Sequence, residues 1–198
     1  MKKFELTTEF ITNMFGKKLF RIKALVEFGN VKAGELGGYV EKEENVSQDG
    51  NAWVSGDARV YGDAEVSGDA RVSGNAEVSG NARVSGNARV YGNAWVYGDA
   101  WVSGNAWVYG NAWVSGNARV SSDADYALVQ GFGTEFRCTT FYRGKNKKIM
   151  VNCGCFHGDL EGFRKQVKET RNGKIAKEYL MIADLMEYHF TSEDSSNE

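Results

Sequence analysis

The sequence predicts a mainly β chain: a parallel β-helix of about four coils, with an N-terminal lead-in and a C-terminal α+β cap. Three observations predict it. Residues 51 to 122 are twelve consecutive hexapeptides without an insertion, from Asn51-Ala52-Trp53-Val54-Ser55-Gly56 to Asn117-Ala118-Arg119-Val120-Ser121-Ser122. Glycine is abundant at 24 residues and proline absent, so the corners must be made by residues that tolerate positive φ. On both sides of the repeat the texture becomes that of an ordinary globular chain. The boundaries read as a lead-in over 1–50, the repeat over 51–125, an α+β segment over 126–190 and a disordered acidic tail over 191–198.

In the lead-in, FRIKALVEF (20–28) is a plausible strand, and the glycine-rich VKAGELGGYV leads toward the repeat. A period of six is neither helical nor a plain alternation, but it resolves as a short strand plus a corner. In Ala-x-Val-[Ser/Tyr], Ala and Val point one way while x and Ser/Tyr point the other. Gly followed by Asn or Asp then makes the bend, since these residues enter the left-handed region at low cost. One unit cannot bury its own Val, so neighbouring coils must stack in parallel register at a spacing of ~4.8 Å. The corner residues Asp57, Asp63, Asp69 and Asp99 stand where Asn otherwise appears and read as turn residues.

After the repeat, EFRCTTFYRGKNKKIMVNCGCF reads as a β-hairpin around a polar turn. Two helices follow, divided at Asn172-Gly173. Leu160, Phe163 and Val167 share one face of the first, and Ile175, Tyr179, Ile182 and Met186 one face of the second.

The unit V-[SY]-G-[ND]-A-x resembles the hexapeptide repeat of left-handed parallel β-helix proteins, and the match runs unbroken over residues 51–122. Left-handedness and three hexapeptides per coil are what that resemblance implies, giving four coils and a prism of roughly 19 Å at the inter-strand spacing. The flanks FRIKALVEFGNVKAGELGGYVE and FYRGKNKKIMVNCGCF look like those of uncharacterised hexapeptide-repeat proteins of phage and prophage genomes. Enzymes of this fold are mostly acyltransferases with a histidine near the inter-subunit cleft, or carbonic anhydrases with three zinc-binding histidines. Here the two histidines, His157 and His189, both lie outside the repeat, so neither set carries over. The resemblance further implies a homo-oligomer, with a trimer favoured.

At 18 residues per coil the outward positions sort into three columns: Trp53, Arg71, Arg89, Trp107; Arg59, Glu77, Trp95, Trp113; and Glu65, Arg83, Trp101, Arg119. Tyr91 and Tyr109 join the first, Tyr61 and Tyr97 the second. Aromatics therefore crowd the last two coils. Three explanations stay open: cross-strand stacking or cover by the C-terminal segment, an oligomer interface, or a ligand site. Arg89, Tyr91, Trp95, Tyr97, Trp101, Trp107, Tyr109, Trp113 and Arg119 are the candidate ligand or interface residues, offering cations for phosphate and platforms for a base.

No nucleophile elbow, phosphate loop or His-Glu-x-x-His motif is present, so no catalytic residue and no cofactor is expected. Cys138, Cys153, Cys155 and His157 are a weak zinc candidate. Alternation on an extended strand would put the last three on one face, but buried cysteine packing is the ordinary reading. The cluster Arg143-Gly-Lys145-Asn-Lys147-Lys148 reads as a solvated hairpin tip. With a formal net charge of −2 there is no whole-chain pull toward nucleic acid, and no apolar run reaches membrane-spanning length. The odd cysteine count and charged N-terminus suit the cytoplasm, of a host cell if phage-encoded.

The expected function is non-catalytic capture of a nucleotide-like small molecule by a phage-type homo-oligomer, a host defence signal being one such ligand. The alternative is a protein-interaction or structural module binding a host or phage protein. A third reading, an acyltransferase relative, would need activity without a histidine in the repeat.

Overall fold

A computed structural model describes residues 2–191, so the expected disordered tail lies, except for Thr191, outside the described residues. The chain divides into two compact units, Met1–Asp123 and Ala124–Glu198.

The first unit is a β-solenoid. Its three parallel sheets are built from two-residue strands. One stacks β4 (Trp53–Val54), β7 (Arg71–Val72), β10 (Arg89–Val90) and β13 (Trp107–Val108). A second stacks β6 (Glu65–Val66), β9 (Arg83–Val84), β12 (Trp101–Val102) and β15 (Arg119–Val120). The third stacks β5 (Arg59–Val60), β8 (Glu77–Val78), β11 (Trp95–Val96) and β14 (Trp113–Val114). We call these the first, second and third sheets. The pairings place residues 18 apart side by side, such as Trp95 beside Trp113 and Trp101 beside Arg119. Each coil donates to the next through bonds such as Arg71 N–H to Ala88 O (2.9 Å) and Ser73 N–H to Val90 O (2.9 Å).

The interior is Val and Ala, every one of them from Ala52 to Val120 no more than 2 % exposed. At the corners the glycines from Gly50 to Gly116 hold φ between 59° and 75°. Only glycine enters that region without strain, and a Cβ on Gly74 would also stand 3.1 Å from the backbone of Gly92 in the next coil. Asn side chains bridge successive corners, Asn75 to Asn93 (3.1 Å) and Asn93 to Asn111 (3.2 Å).

The solenoid has about five coils rather than four, because a first coil precedes the regular repeat. Strand β3 (Leu36–Val40) pairs in parallel with β5, Tyr39 beside Arg59, and Val46 bridges to Val66. Both steps span 20 residues instead of 18. The surplus is Gln48-Asp49, inserted into what would otherwise read Val-Ser-Gly-Asn-Ala-Trp-Val. The insertion has a use: Gln48 accepts from the backbone N–H of Lys3 (2.7 Å) and Phe4 (3.2 Å) and donates to Phe4 O (3.2 Å), which ties the N-terminal strand to the first coil.

The lead-in supplies an antiparallel hairpin, β1 (Phe4–Thr12) and β2 (Lys18–Ala24), which extends the third sheet beyond β3. The strand expected at 20–28 thus starts earlier and stops at Ala24, where Ala24 N–H donates to Glu35 O (2.9 Å). Register irregularities interrupt both ladders, between Leu6 and Phe10 and between Arg21 and Lys23. Leu19 and Ile11 pack with the outward Tyr39 and Tyr61, so the hairpin lies against the outer face of the third sheet.

In the second unit the expected hairpin is the centre of a four-stranded antiparallel meander: β16 (Tyr126–Val129), β17 (Thr139–Arg143), β18 (Ile149–Cys153) and β19 (Phe156–Asp159). Helices α1 (Leu160–Thr170) and α2 (Gly173–Thr191) follow. Asp159 caps α1 by accepting from Gly162 N–H at 2.9 Å. Leu160, Phe163 and Val167 join Tyr179, Ile182, Met186, Phe141 and Val151 in one core, with Ile175 at its margin. No described helix is long and apolar enough to cross a membrane.

Candidate functional site

The nine outward residues singled out from the sequence fall on three sheets and do not converge. On the first, Arg89 lies over the ring of Trp107 (4.9 Å to its centroid) and Tyr91 stacks on Tyr109 (5.4 Å, 14° between planes). On the second, Arg119 covers Trp101 at 5.5 Å and donates to Asp99 O (2.9 Å) and Ala118 O (2.7 Å). On the third sheet the aromatics bound a cavity.

That cavity, about 320 Å³, is lined by Tyr61, Glu77, Ser79, Gly80, Trp95, Tyr97 and Trp113 from the solenoid and by Met14 and Phe15 from the tip of the β1–β2 hairpin. Trp95 and Trp113 form one wall as a flat stack, 5.3 Å apart and 10° from parallel. Their rings are held by the 18-residue register, which superposes identical repeat units. Met14 and Phe15 form the other wall and are 79 % and 68 % exposed. The tip that carries them is fixed: Asn13 Oδ1 accepts from the backbone N–H of Phe15 and Lys17, both at 3.0 Å.

Tyr61 is buried and its hydroxyl donates a short hydrogen bond to Glu77. Burial, reinforced by the carboxylate, pushes the Tyr61 phenol up to about 12. Among the described residues, the other Glu77 oxygen has no hydrogen-bond partner. No guanidinium lines the cavity. Arg59, one strand below Glu77 in the same column, lies outside the lining, and Arg89 and Arg119 belong to other sheets.

Trp95, Tyr97 and Trp113 are the expected residues that this site gathers. Met14, Phe15, Tyr61, Glu77 and Ser79 were missed. For the last three a signal existed, since their places in the aromatic columns follow from the 18-residue coil. Nothing in the sequence ties Met14 and Phe15 to them.

The cysteine candidates lie in the second unit. The chain turns at Gly154-Cys155, so Cys153 and Phe156 pair across a tight hairpin and the assumed alternation through His157 fails. Cys153 Sγ accepts from Thr139 (3.1 Å), and His157 Nδ1 is paired with Asn152 Oδ1 at 2.6 Å. Burial pushes the Cys138 thiol up to about 11. Among the described residues no three such side chains are arranged to hold a metal ion. The basic run is the tip between β17 and β18, closed by Gly144 N–H to Lys148 O at 2.8 Å, while Arg143 pairs with Asp125 at 3.1 Å. A smaller cavity of about 90 Å³ lies among Arg137, Cys153, Arg171 and Tyr179.

The stacked coils are also where the chain meets a known family. This stretch is similar to the YdcK β-solenoid repeat. Its model matches residues 76–90, 82–98, 88–104 and 100–116, that is, the solenoid from β8 to β14. The match covers both tryptophans of the cavity and leaves out the hairpin tip that completes it. Comparison with curated proteins gives no match.

Proposed function

We propose that the chain is a non-catalytic binding protein whose third-sheet cavity captures a small planar molecule. The observation that carries this reading is the concave site itself. Parallel indoles on one side and exposed Met14 and Phe15 on the other make a mostly apolar slot, with a single carboxylate among its polar groups. No histidine lines it, and in its one hydroxyl–carboxylate pair, Tyr61 with Glu77, the phenol is pushed up to about 12, away from a nucleophile's range, which suits retention better than turnover.

Of the nucleotide-like ligand expected from the sequence, this site fits the ring and offers nothing to the phosphate. A nucleobase or nucleoside is therefore the better description. For a phage-type chain, such capture would withdraw a host signal from circulation. The test is tryptophan fluorescence during titration with a panel of nucleobases and nucleosides. Quenching should weaken at least tenfold in Trp113→Ala and persist in Trp107→Ala, whose indole lies on another sheet. A panel that produces no quenching would overturn the reading.

A second reading rests on the other two sheets. Trp101 (42 %), Trp107 (41 %) and Tyr109 (47 %) are exposed aromatics beside arginines, the residue types enriched where proteins meet. A second copy of this chain is the proposed occupant, and native mass measurement tests it.

A further inference from the structure

We infer that the captured molecule is a planar organic cation, a heteroaromatic ring whose positive charge is held by the aromatic lining of the third-sheet cavity and by Glu77. The inference rests on the capture reading above and adds the ligand's charge.

Exposed indoles on the other two sheets already have a cation. Arg89 lies over Trp107 at 4.9 Å, and Arg119 lies over Trp101 at 5.5 Å. Each arginine stands on the adjacent strand, in register with its indole. On the third sheet the register is different. Trp95 has Trp113 on one side, stacked at 5.3 Å, and Glu77 as its register neighbour on the other. Among the described residues no guanidinium or ammonium lies over Trp95. Where the other two sheets bring an arginine to the indole, this one brings a carboxylate and opens a cavity lined by both. The cations that follow the hairpin tip are directed elsewhere: Lys17 pairs with Glu41 at 2.9 Å, and Lys18 lies over Phe10 at 4.4 Å. Arg59, in register with Glu77 on the strand below, is not part of the lining.

The lining then sets the sign of the charge. Phe15, Trp95, Tyr97 and Trp113 contribute aromatic rings, whose quadrupoles attract a cation. Glu77 is half-buried and is the one lining residue with a formal charge, which the hydrogen bond from the Tyr61 hydroxyl does not neutralise. A neutral ring would desolvate that carboxylate without a counter-charge, and an anion would be repelled by it. A ring that spreads its charge is weakly hydrated, as guanidinium is relative to ammonium, and enters at lower cost than a compact ammonium. At about 320 Å³ the cavity lies at the low end of ligand pockets, about 300–1,000 Å³, so it takes one small molecule rather than a segment of polymer.

The test is calorimetric titration with 1-methylnicotinamide, a permanent pyridinium cation, and with 3-methylbenzamide, the neutral molecule of the same shape with carbon in place of the charged nitrogen. The wild-type chain should bind the cation at least tenfold more tightly. Glu77→Gln keeps an acceptor for the Tyr61 hydroxyl and removes the charge. It should weaken the cation at least fivefold and leave the neutral probe within twofold. Equal affinity of the wild type for the two probes overturns the inference, and so does a preference that survives intact in Glu77→Gln. If neither probe binds while nucleobases still quench tryptophan emission, the charge is overturned and capture stands; if no ring of any kind binds, capture falls as well. Should Glu77→Gln not fold, Ser79→Lys serves, because it places the chain's own ammonium on the cavity lining. It should erase the preference for the cation, and an unchanged preference overturns the inference.

Discussion

Trp53 and Trp113 occupy the same place in the same repeat unit and live in opposite surroundings. Trp53, in the first coil, is 1 % exposed under the edges of Phe4 (6.2 Å between ring centroids) and Phe28 (5.4 Å). Its approach to the lead-in is so close that a Cβ on Gly37 would stand 2.7 Å from the indole. Trp113, in the last coil, is 38 % exposed and touches a partner ring on one side and a cavity on another. The repeat puts an indole on the outside of the prism. What the flanking chain does afterwards decides whether that indole becomes core or binding surface.

The comparison breaks most visibly at the buried end. Trp53→Ala should cost about 3–5 kcal/mol of unfolding free energy, the range for a large aromatic removed from a core. Its indole N–H is buried with no hydrogen-bond partner among the described residues, an arrangement that itself costs about 1–3 kcal/mol. Packing against Phe4, Phe28 and the first coil must outweigh that penalty. A urea midpoint close to that of the wild type would show that the lead-in does not depend on this residue.

Lys3 extends the buried end to pH. The residue is 4 % exposed, and its ammonium donates to Asp49 O (3.5 Å), Gly50 O (3.3 Å) and Ala52 O (3.0 Å) and lies over Phe28. Burial, with Arg71 nearby, lowers its pKa from 10.5 to about 8. In that interval the unfolded chain binds the proton more tightly than the folded one, so stability rises as pH climbs from about 8 toward 10. The Tyr61 phenol acts with the opposite sign only above pH 10, because the folded state holds its proton to about 12. Urea midpoints at pH 7.5 and 9.5 should therefore increase with pH in the wild type and level out in Lys3→Met. An equal slope in both would remove Lys3 as the source.

How far the sequence speaks follows the same division. The three columns, the stacking of Trp95 on Trp113 and of Tyr91 on Tyr109, and the Val/Ala interior were all legible. A fixed period turns position in the chain into position in space. The first coil was not, because Gln48-Asp49 shifts the frame by two residues and Gly38 stands in an Ala place, where its missing side chain admits the backbone of Ala58. The groove was half legible. Its solenoid wall follows from the period, but Met14 and Phe15 arrive through a hairpin outside the repeat, with ladders whose register irregularities leave no trace in composition. For the cysteines, reading one extended strand through Cys153, Cys155 and His157 overlooked that Gly154, with φ of 61°, turns the chain between them.

The smallest expected effect lies at the open end and sharpens the comparison most. Removing the Trp113 ring leaves Val114 buried in the prism and the backbone ladder to β11 intact, while the stack on Trp95 and partial burial are lost. Cross-strand aromatic pairs contribute roughly 0.2–1 kcal/mol. Trp113→Ala should therefore lower unfolding free energy by clearly less than the same change at Trp53. An indole that contributes so little to stability, yet is repeated on adjacent coils beside a cavity, is better explained by what it contacts than by what it holds together. A loss at Trp113 as large as that at Trp53 would reverse this argument. It would mark the Trp95–Trp113 stack as a structural seal, and the groove as a by-product of the seal.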